Sequence, residues 1–113
     1  CSGNLIRLIN MDKFLICYIT DNNDFDYIDS RLEYFAEQKL HQGCSVVYKY
    51  VAQQTKNGFT QTDIEEISYI LESNRGINYI LFVVPKDAFE VYRSAIRNYV
   101  DKGYIVTLEL EIL

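Results

Sequence analysis

The most polar segment of the chain is Thr20-Asp21-Asn22-Asn23-Asp24-Phe25-Asp26. Its three carboxylates are hard oxygen ligands of the kind that hold Mg²⁺, and a metal held there could activate water or polarise a phosphoryl group. A calcium loop needs Gly at its sixth position and Glu at its twelfth. Phe25 stands sixth from Thr20 and no Glu falls at the other place, so that motif fails. The plainer role for Asp24 or Asp26 is to cap a helix that starts there, its carboxylate accepting an orphan backbone N–H. Asp21, Asn23 and Asp24, with Lys86 and Asp87 from a later loop, form the candidate ligand-binding group. No metal site and no cofactor is assigned.

Other reactive side chains offer less. His41 is the only histidine and falls at the end of a helical pattern, where partial positive charge complements the helix dipole. Cys17 and Cys44 sit in or beside apolar runs and read as reduced core residues, which points to the cytoplasm. No CxxC or Cys/His spacing indicates zinc. Ser30, Ser68 and Ser94 fall inside helical patterns, where hydroxyls are usually on the surface. There is no Gly-rich phosphate loop ending in Lys and Ser/Thr, and Lys56-Asn57-Gly58 is a turn signal. A response-regulator receiver would need a phosphate-accepting Asp at the end of the third strand, where this chain has Phe82, Val83 and Val84.

These residues must be positioned by a single small domain. The chain has 113 residues, 49% of them hydrophobic, with ten Tyr, six Phe, one Pro and a formal net charge of −5. That composition can build a core and argues against disorder. An acidic balance is a poor match to a nucleic-acid backbone, whose affinity rests on neutralised phosphates. Arg75, Lys86, Arg93, Arg97 and Lys102 leave room for a local basic face in the C-terminal half, though a solvated helix surface explains them as well. No stretch reaches the roughly 20 apolar residues of a membrane helix, so no membrane partner is expected. Residues 1–10 read as an upstream extension ahead of a natural start at Met11, which leaves residues 1–11 outside the domain and 12–113 as the domain itself. The Cys1-Ser2-Gly3-Asn4 start admits a lipid-bearing end.

Four runs have strand character. Residues 14–19 are nearly continuous and apolar, as a strand buried on both faces is; 46–51 is a second run, and 79–84 a third and the most apolar. The fourth, residues 104–112, alternates: Val106, Leu108, Leu110 and Ile112 predict a dry face, Thr107, Glu109 and Glu111 a wet one, and the whole an edge strand. Between them lie three helical stripes. The first is Ile28, Leu32, Phe35, Ala36 and Leu40. The second follows a capping box read at Thr62-Asp63-Ile64-Glu65, buries Ile64, Ile67, Ile70 and Leu71, and stops at Gly76. The third is Phe89, Tyr92, Ile96, Tyr99 and Val100, closed by Gly103. The order β-α-β-α-β-α-β predicts a three-layer α/β domain: a mostly parallel four-stranded sheet, order 2-1-3-4, with helices on both faces, in the flavodoxin-like manner. Ligands of such sheets bind beyond the carboxyl ends of the strands. There, residues 20–26, 52–60 and 85–87 would meet.

Over residues 12–108 the chain resembles the N-terminal catalytic domain of serine recombinases, the resolvase and invertase family. Tyr18-Ile19-Thr20-Asp21-Asn22-Asn23 stands where that family has Tyr-x-Arg-Val-Ser-Thr. Arg31-Leu32-Glu33-Tyr34-Phe35-Ala36-Glu37-Gln38-Lys39 reads like its first helix. Val46 to Val51, Ile77 to Val84 and Lys102 to Val106 resemble its later strands. The resemblance sets Asn22 on the family's nucleophilic Ser and Thr20 on its Arg. An Asn carboxamide cannot attack a phosphodiester as an alkoxide does, and Thr lacks the guanidinium that steadies the pentavalent phosphoryl centre. The family's Asp-Arg-x-x-Arg motif falls on Asp87-Ala88-Phe89-Glu90-Val91, with no Arg at either place. The family's long C-terminal helix and DNA-binding domain have no counterpart in these residues. Phe14 to Tyr18, followed by Asp24-Phe25, also resembles the opening of a TIR domain. That family's Trp-Cys-x-x-Glu helix is not matched by Phe89-Glu90-Val91-Tyr92-Arg93.

The resemblance therefore implies a degenerate resolvase-like domain without its own catalysis. Its expected work is protein interaction or homodimerisation in connection with a mobile element, with DNA reached only through a larger parent protein. The alternative is a small metal-dependent nuclease or nucleotide hydrolase, or a TIR-like domain, using the acidic loop.

Overall fold

The computed structural model describes residues 12–112. Its elements run β1 (Lys13–Thr20), α1 (Phe25–His41), β2 (Ser45–Gln53), α2 (Gln61–Ser73), β3 (Tyr79–Pro85), a 3₁₀ turn (Lys86–Ala88), α3 (Phe89–Asp101) and β4 (Ile105–Glu111). The expectations for Cys1, the upstream extension and Met11 lie outside the described residues.

The sheet is all parallel, in the order β2-β1-β3-β4. β1 and β3 are central, and from Phe14 to Thr20 and from Ile80 to Pro85 every residue is buried. Side chains alternate across a strand, so each central strand feeds two cores. On one face Phe14, Ile16, Tyr18, Leu81 and Val83 pack against Ile28, Leu32 and Phe35 of α1, with Cys44. On the other Leu15, Cys17, Ile19, Ile80, Phe82 and Val84 pack against Ile67, Ile70 and Leu71 of α2 and Tyr92, Ile96 and Tyr99 of α3. That is the three-layer arrangement expected from the alternation of patterns. Among the described residues no helix is long and apolar enough to cross a membrane.

Local chemistry sets several boundaries differently from the sequence pattern. The capping box of α2 is Thr60 with Asp63, not Thr62 with Glu65. Thr60 Oγ1 accepts the Asp63 N–H at 3.1 Å, and Asp63 Oδ2 accepts the Thr60 N–H at 3.1 Å. The tie between two overlapping boxes is broken by Tyr50, whose hydroxyl donates to Asp63 Oδ1 at 2.6 Å and draws that carboxylate inward. Ile64 is consequently rotated outward and exposed. α2 ends at Ser73, before Gly76, because Asn74 caps it: its backbone N–H and its side-chain Nδ2 both donate to the Ile70 carbonyl. Gly76 does not take a left-handed conformation, whereas Gly103 does (φ 99°) and closes α3 as expected. The ends of two stripes are also exposed, at Leu40 on α1 and Val100 on α3.

The fourth strand departs most. Both β2 and β4 are edges, and the predicted dry face of β4 is wet: Leu108, Leu110 and Ile112 are exposed, while Glu111 is buried. Register explains the faces. Val106, Leu108 and Leu110 lie beside Ile80, Phe82 and Val84, on the α3 side, but at the outer margin of the sheet. Thr107, Glu109 and Glu111 lie on the α1 side.

Candidate functional site

The loop after β1 is ordered by a relay of side-chain acceptors two residues apart. Thr20 Oγ1 accepts the Asn22 N–H at 3.0 Å, and Asn22 Oδ1 accepts the Asp24 N–H at 2.7 Å. Asp24 Oδ1 then accepts the N–H groups of Asp26 (3.0 Å) and Tyr27 (3.4 Å). Asp24 is thereby the N-cap of α1, in extended conformation as a cap should be. Asp26, the other capping candidate, sits in the first turn, where its charge suits the helix dipole. The relay is how short polar side chains hold a chain that has left a strand and not yet entered a helix. Thr20 is buried, and its carbonyl accepts the Gln54 N–H at 2.8 Å, which ties this loop to the one after β2.

The loop after β2 is held just as closely. Tyr92 Oη accepts the Thr55 N–H at 3.0 Å, and Thr55 Oγ1 donates to the Gly58 carbonyl at 2.6 Å. Gly58 has φ 88°, and a Cβ there would lie 2.4 Å from the Val91 carbonyl oxygen. The Lys56-Asn57-Gly58 turn is therefore a seat for α3.

At the same end of the sheet, the structure assembles a cluster that the sequence did not announce. Tyr18 Oη donates to Glu111 Oε1 at 3.0 Å. Arg31 donates to Glu111 Oε2 through Nε (2.9 Å) and Nη2 (2.7 Å). The guanidinium lies over the rings of Tyr34 and Phe35, 4.9 and 5.0 Å from their centroids. Burial first, and then the Glu111 carboxylate, push the Tyr18 phenol well above its ordinary value. The hydrogen bonds to Glu111 raise Arg31. Tyr18 is thus a fixed neutral donor, and the charges of Arg31 and Glu111 cancel within the cluster. Its chemistry is that of a clamp between β1, α1 and the end of β4.

Of the candidate ligand group, Lys86 and Asp87 are exposed on the 3₁₀ turn and line a small cleft of about 110 Å³ with Pro85, Glu111 and Ile112. Asp21, Asn23 and Asp24 are exposed on the β1–α1 loop and are not part of that cleft. A wider, open depression of about 430 Å³ lies beyond the clamp, between Tyr27, Arg31 and Tyr34 on α1 and Glu109, Leu110 and Ile112. Among the described residues, no three His, Cys, Asp or Glu side chains converge as a metal site would require. His41 is exposed in the last turn of α1, beside Lys39. Cys17 and Cys44 are free and buried, and burial, then the nearby Asp63 charge, push the Cys17 thiol far up, away from the reactive thiolate.

No family model, no curated protein and no solved structure matches this chain.

Proposed function

We propose that this domain is a non-catalytic interaction module on a degenerate resolvase-like scaffold, acting in the cytoplasm in connection with a mobile element and holding a protein partner. DNA would be reached only through a larger parent protein. One observation carries the reading. Thr20 and Asn22, the positions that the resemblance sets against the recombinase Arg and nucleophile, spend their side-chain oxygens on the turn into α1. A group committed to backbone amides serves position; at the nucleophile's place Asn22 has no hydroxyl to become an alkoxide, and at the Arg place Thr20 has no guanidinium.

The metal-dependent alternative has less support. Asp24 Oδ1 already accepts two amides, and the carboxylates of the loop do not gather with others around one point among the described residues.

The test is turnover. The purified domain, incubated with Mg²⁺ and either supercoiled DNA or nucleoside triphosphates, is expected to give no nicking and no hydrolysis above buffer. Turnover that disappears in Asp21→Ala would overturn the reading and restore the acidic loop as an active site.

A further inference from the structure

We infer that the partner of this module is a second copy of the same chain, joined antiparallel along the outer edge of β4. The inference rests on the interaction-module reading and goes further by naming the surface and its occupant.

The two edges of the sheet differ. β2 is irregular: Phe14 pairs with Val46 but Leu15 with Tyr48, so Val47 is an extra, bulged residue, and Lys49 follows it. A bulge and a lysine are two of the devices by which edges avoid pairing. β4 has neither. Its seven residues run in unbroken register with β3, no described strand lies on its outer side, and Ile105, Leu108 and Leu110 are exposed along it. A regular, apolar, open edge is a template for another strand.

The sequence of β4 is complementary to itself in one register. Full antiparallel overlap of Ile105–Glu111 with a second copy sets Leu108 opposite Leu108, and Leu110 opposite Val106, on the α3 side. On the α1 side it sets Glu109 opposite Thr107 and Glu111 opposite Ile105. No carboxylate then faces a carboxylate. Sliding one step in either face-preserving direction shortens the overlap, and the step toward the C-terminus puts Glu109 opposite Glu109, a like-charge pair that costs stability.

α3 extends the surface. Its Val91–Tyr92 flank faces Gly58 and Phe59 of the β2–α2 loop. The opposite flank, with Phe89 and Val100, borders a shallow groove of about 540 Å³. In a twofold pair the two α3 flanks come to lie beside one another over a continuous eight-stranded sheet. Such a contact is isologous and closes at two copies.

The experiment measures mass and position together. Light scattering of the whole chain is expected to give a dimer, and Leu108→Lys a monomer with unchanged far-ultraviolet dichroism, because two lysines then face each other across the dyad. In a Cys1→Ser background, Leu108→Cys is expected to cross-link to itself on mild oxidation, and Tyr48→Cys on the β2 edge is not. A monomer at every accessible concentration, or cross-linking through Tyr48→Cys and not Leu108→Cys, overturns the proposal. Neither result touches the interaction reading, which turnover that depends on Asp21 would overturn.

Discussion

At the scale of single residues, the molecule is held by tyrosines whose polar tips are placed inside. Tyr18 and Tyr50 donate to Glu111 and Asp63, and Tyr92 accepts from the Thr55 amide. Tyr99 lies between Phe82 and Tyr104 in the α3-side core. Burial raises the phenol of each, Tyr99 to about 12. The consequence for pH has a definite sign. In the unfolded chain a tyrosine ionises near about pH 10. The native phenols keep their protons beyond that, so the unfolded state releases protons first and stability falls as pH rises. Below about pH 10 these four groups are neutral in both states and the stability they contribute is fully present. We expect these four phenols to ionise only together with a cooperative alkaline loss of helical dichroism, as a second step beyond the exposed Tyr27, Tyr34, Tyr48 and Tyr69. Ionisation of all ten tyrosines with dichroism intact would show that these phenols are not held as described. Little of this was legible in the sequence. Glu111 lies 93 residues from Tyr18 and 80 from Arg31, and its alternating neighbours place it on a face that reads as wet. The available signals were a lone phenol inside the run 14–19 and an arginine between Ile28 and Leu32, both buried. Neither names a partner, because only the register of β4 against β3 brings Glu111 to the α1 side.

At the scale of elements, the helices and the central strands follow their apolar periods closely, and apart from the faces of β4 the misreadings occur at ends. Period and burial are physically the same signal, so β1, β3 and the buried stripes of α1, α2 and α3 could be read directly. Ends are decided by hydrogen bonds of a few residues, and several chemically similar candidates compete for each. Thr60 displaced Thr62 and Asn74 displaced Gly76 for this reason. Seating one element on another adds a constraint that a turn signal does not carry. Gly58 and Gly103 both have positive φ, yet only Gly58 has backbone within reach of an added Cβ. Gly103→Ala is expected to cost about 1 kcal/mol, the conformational term alone. Gly58→Ala is expected to cost on the order of 2–4 kcal/mol, because the strained backbone is joined by a clash with the Val91 carbonyl that only a shift of α3 relieves. Urea denaturation of the two variants separates the terms, and equal losses would mean that the β2–α2 loop does not seat α3.

At the scale of the whole molecule, a doubly wound sheet brings three loops to the carboxyl ends of its strands, the place where such folds bind ligands. In this chain two of these loops spend side-chain oxygens on structure, in the relay from Thr20 to Asp24 and in the Thr55–Gly58 seat, and beside the third the clamp on Glu111 fixes the end of β4. The account's central claim is that the first of these is scaffolding. Residues kept for chemistry are commonly unfavourable for stability, so replacing them often stabilises a protein. Residues kept for structure behave in the opposite way. The most direct measurement is therefore the unfolding free energy of Asn22→Ala by urea titration. Removing Oδ1 leaves the Asp24 amide without its acceptor and loosens the cap of α1, so a loss of about 1 kcal/mol is expected. Unchanged or increased stability would contradict the claim and mark Asn22 as a residue held in place for something other than the fold.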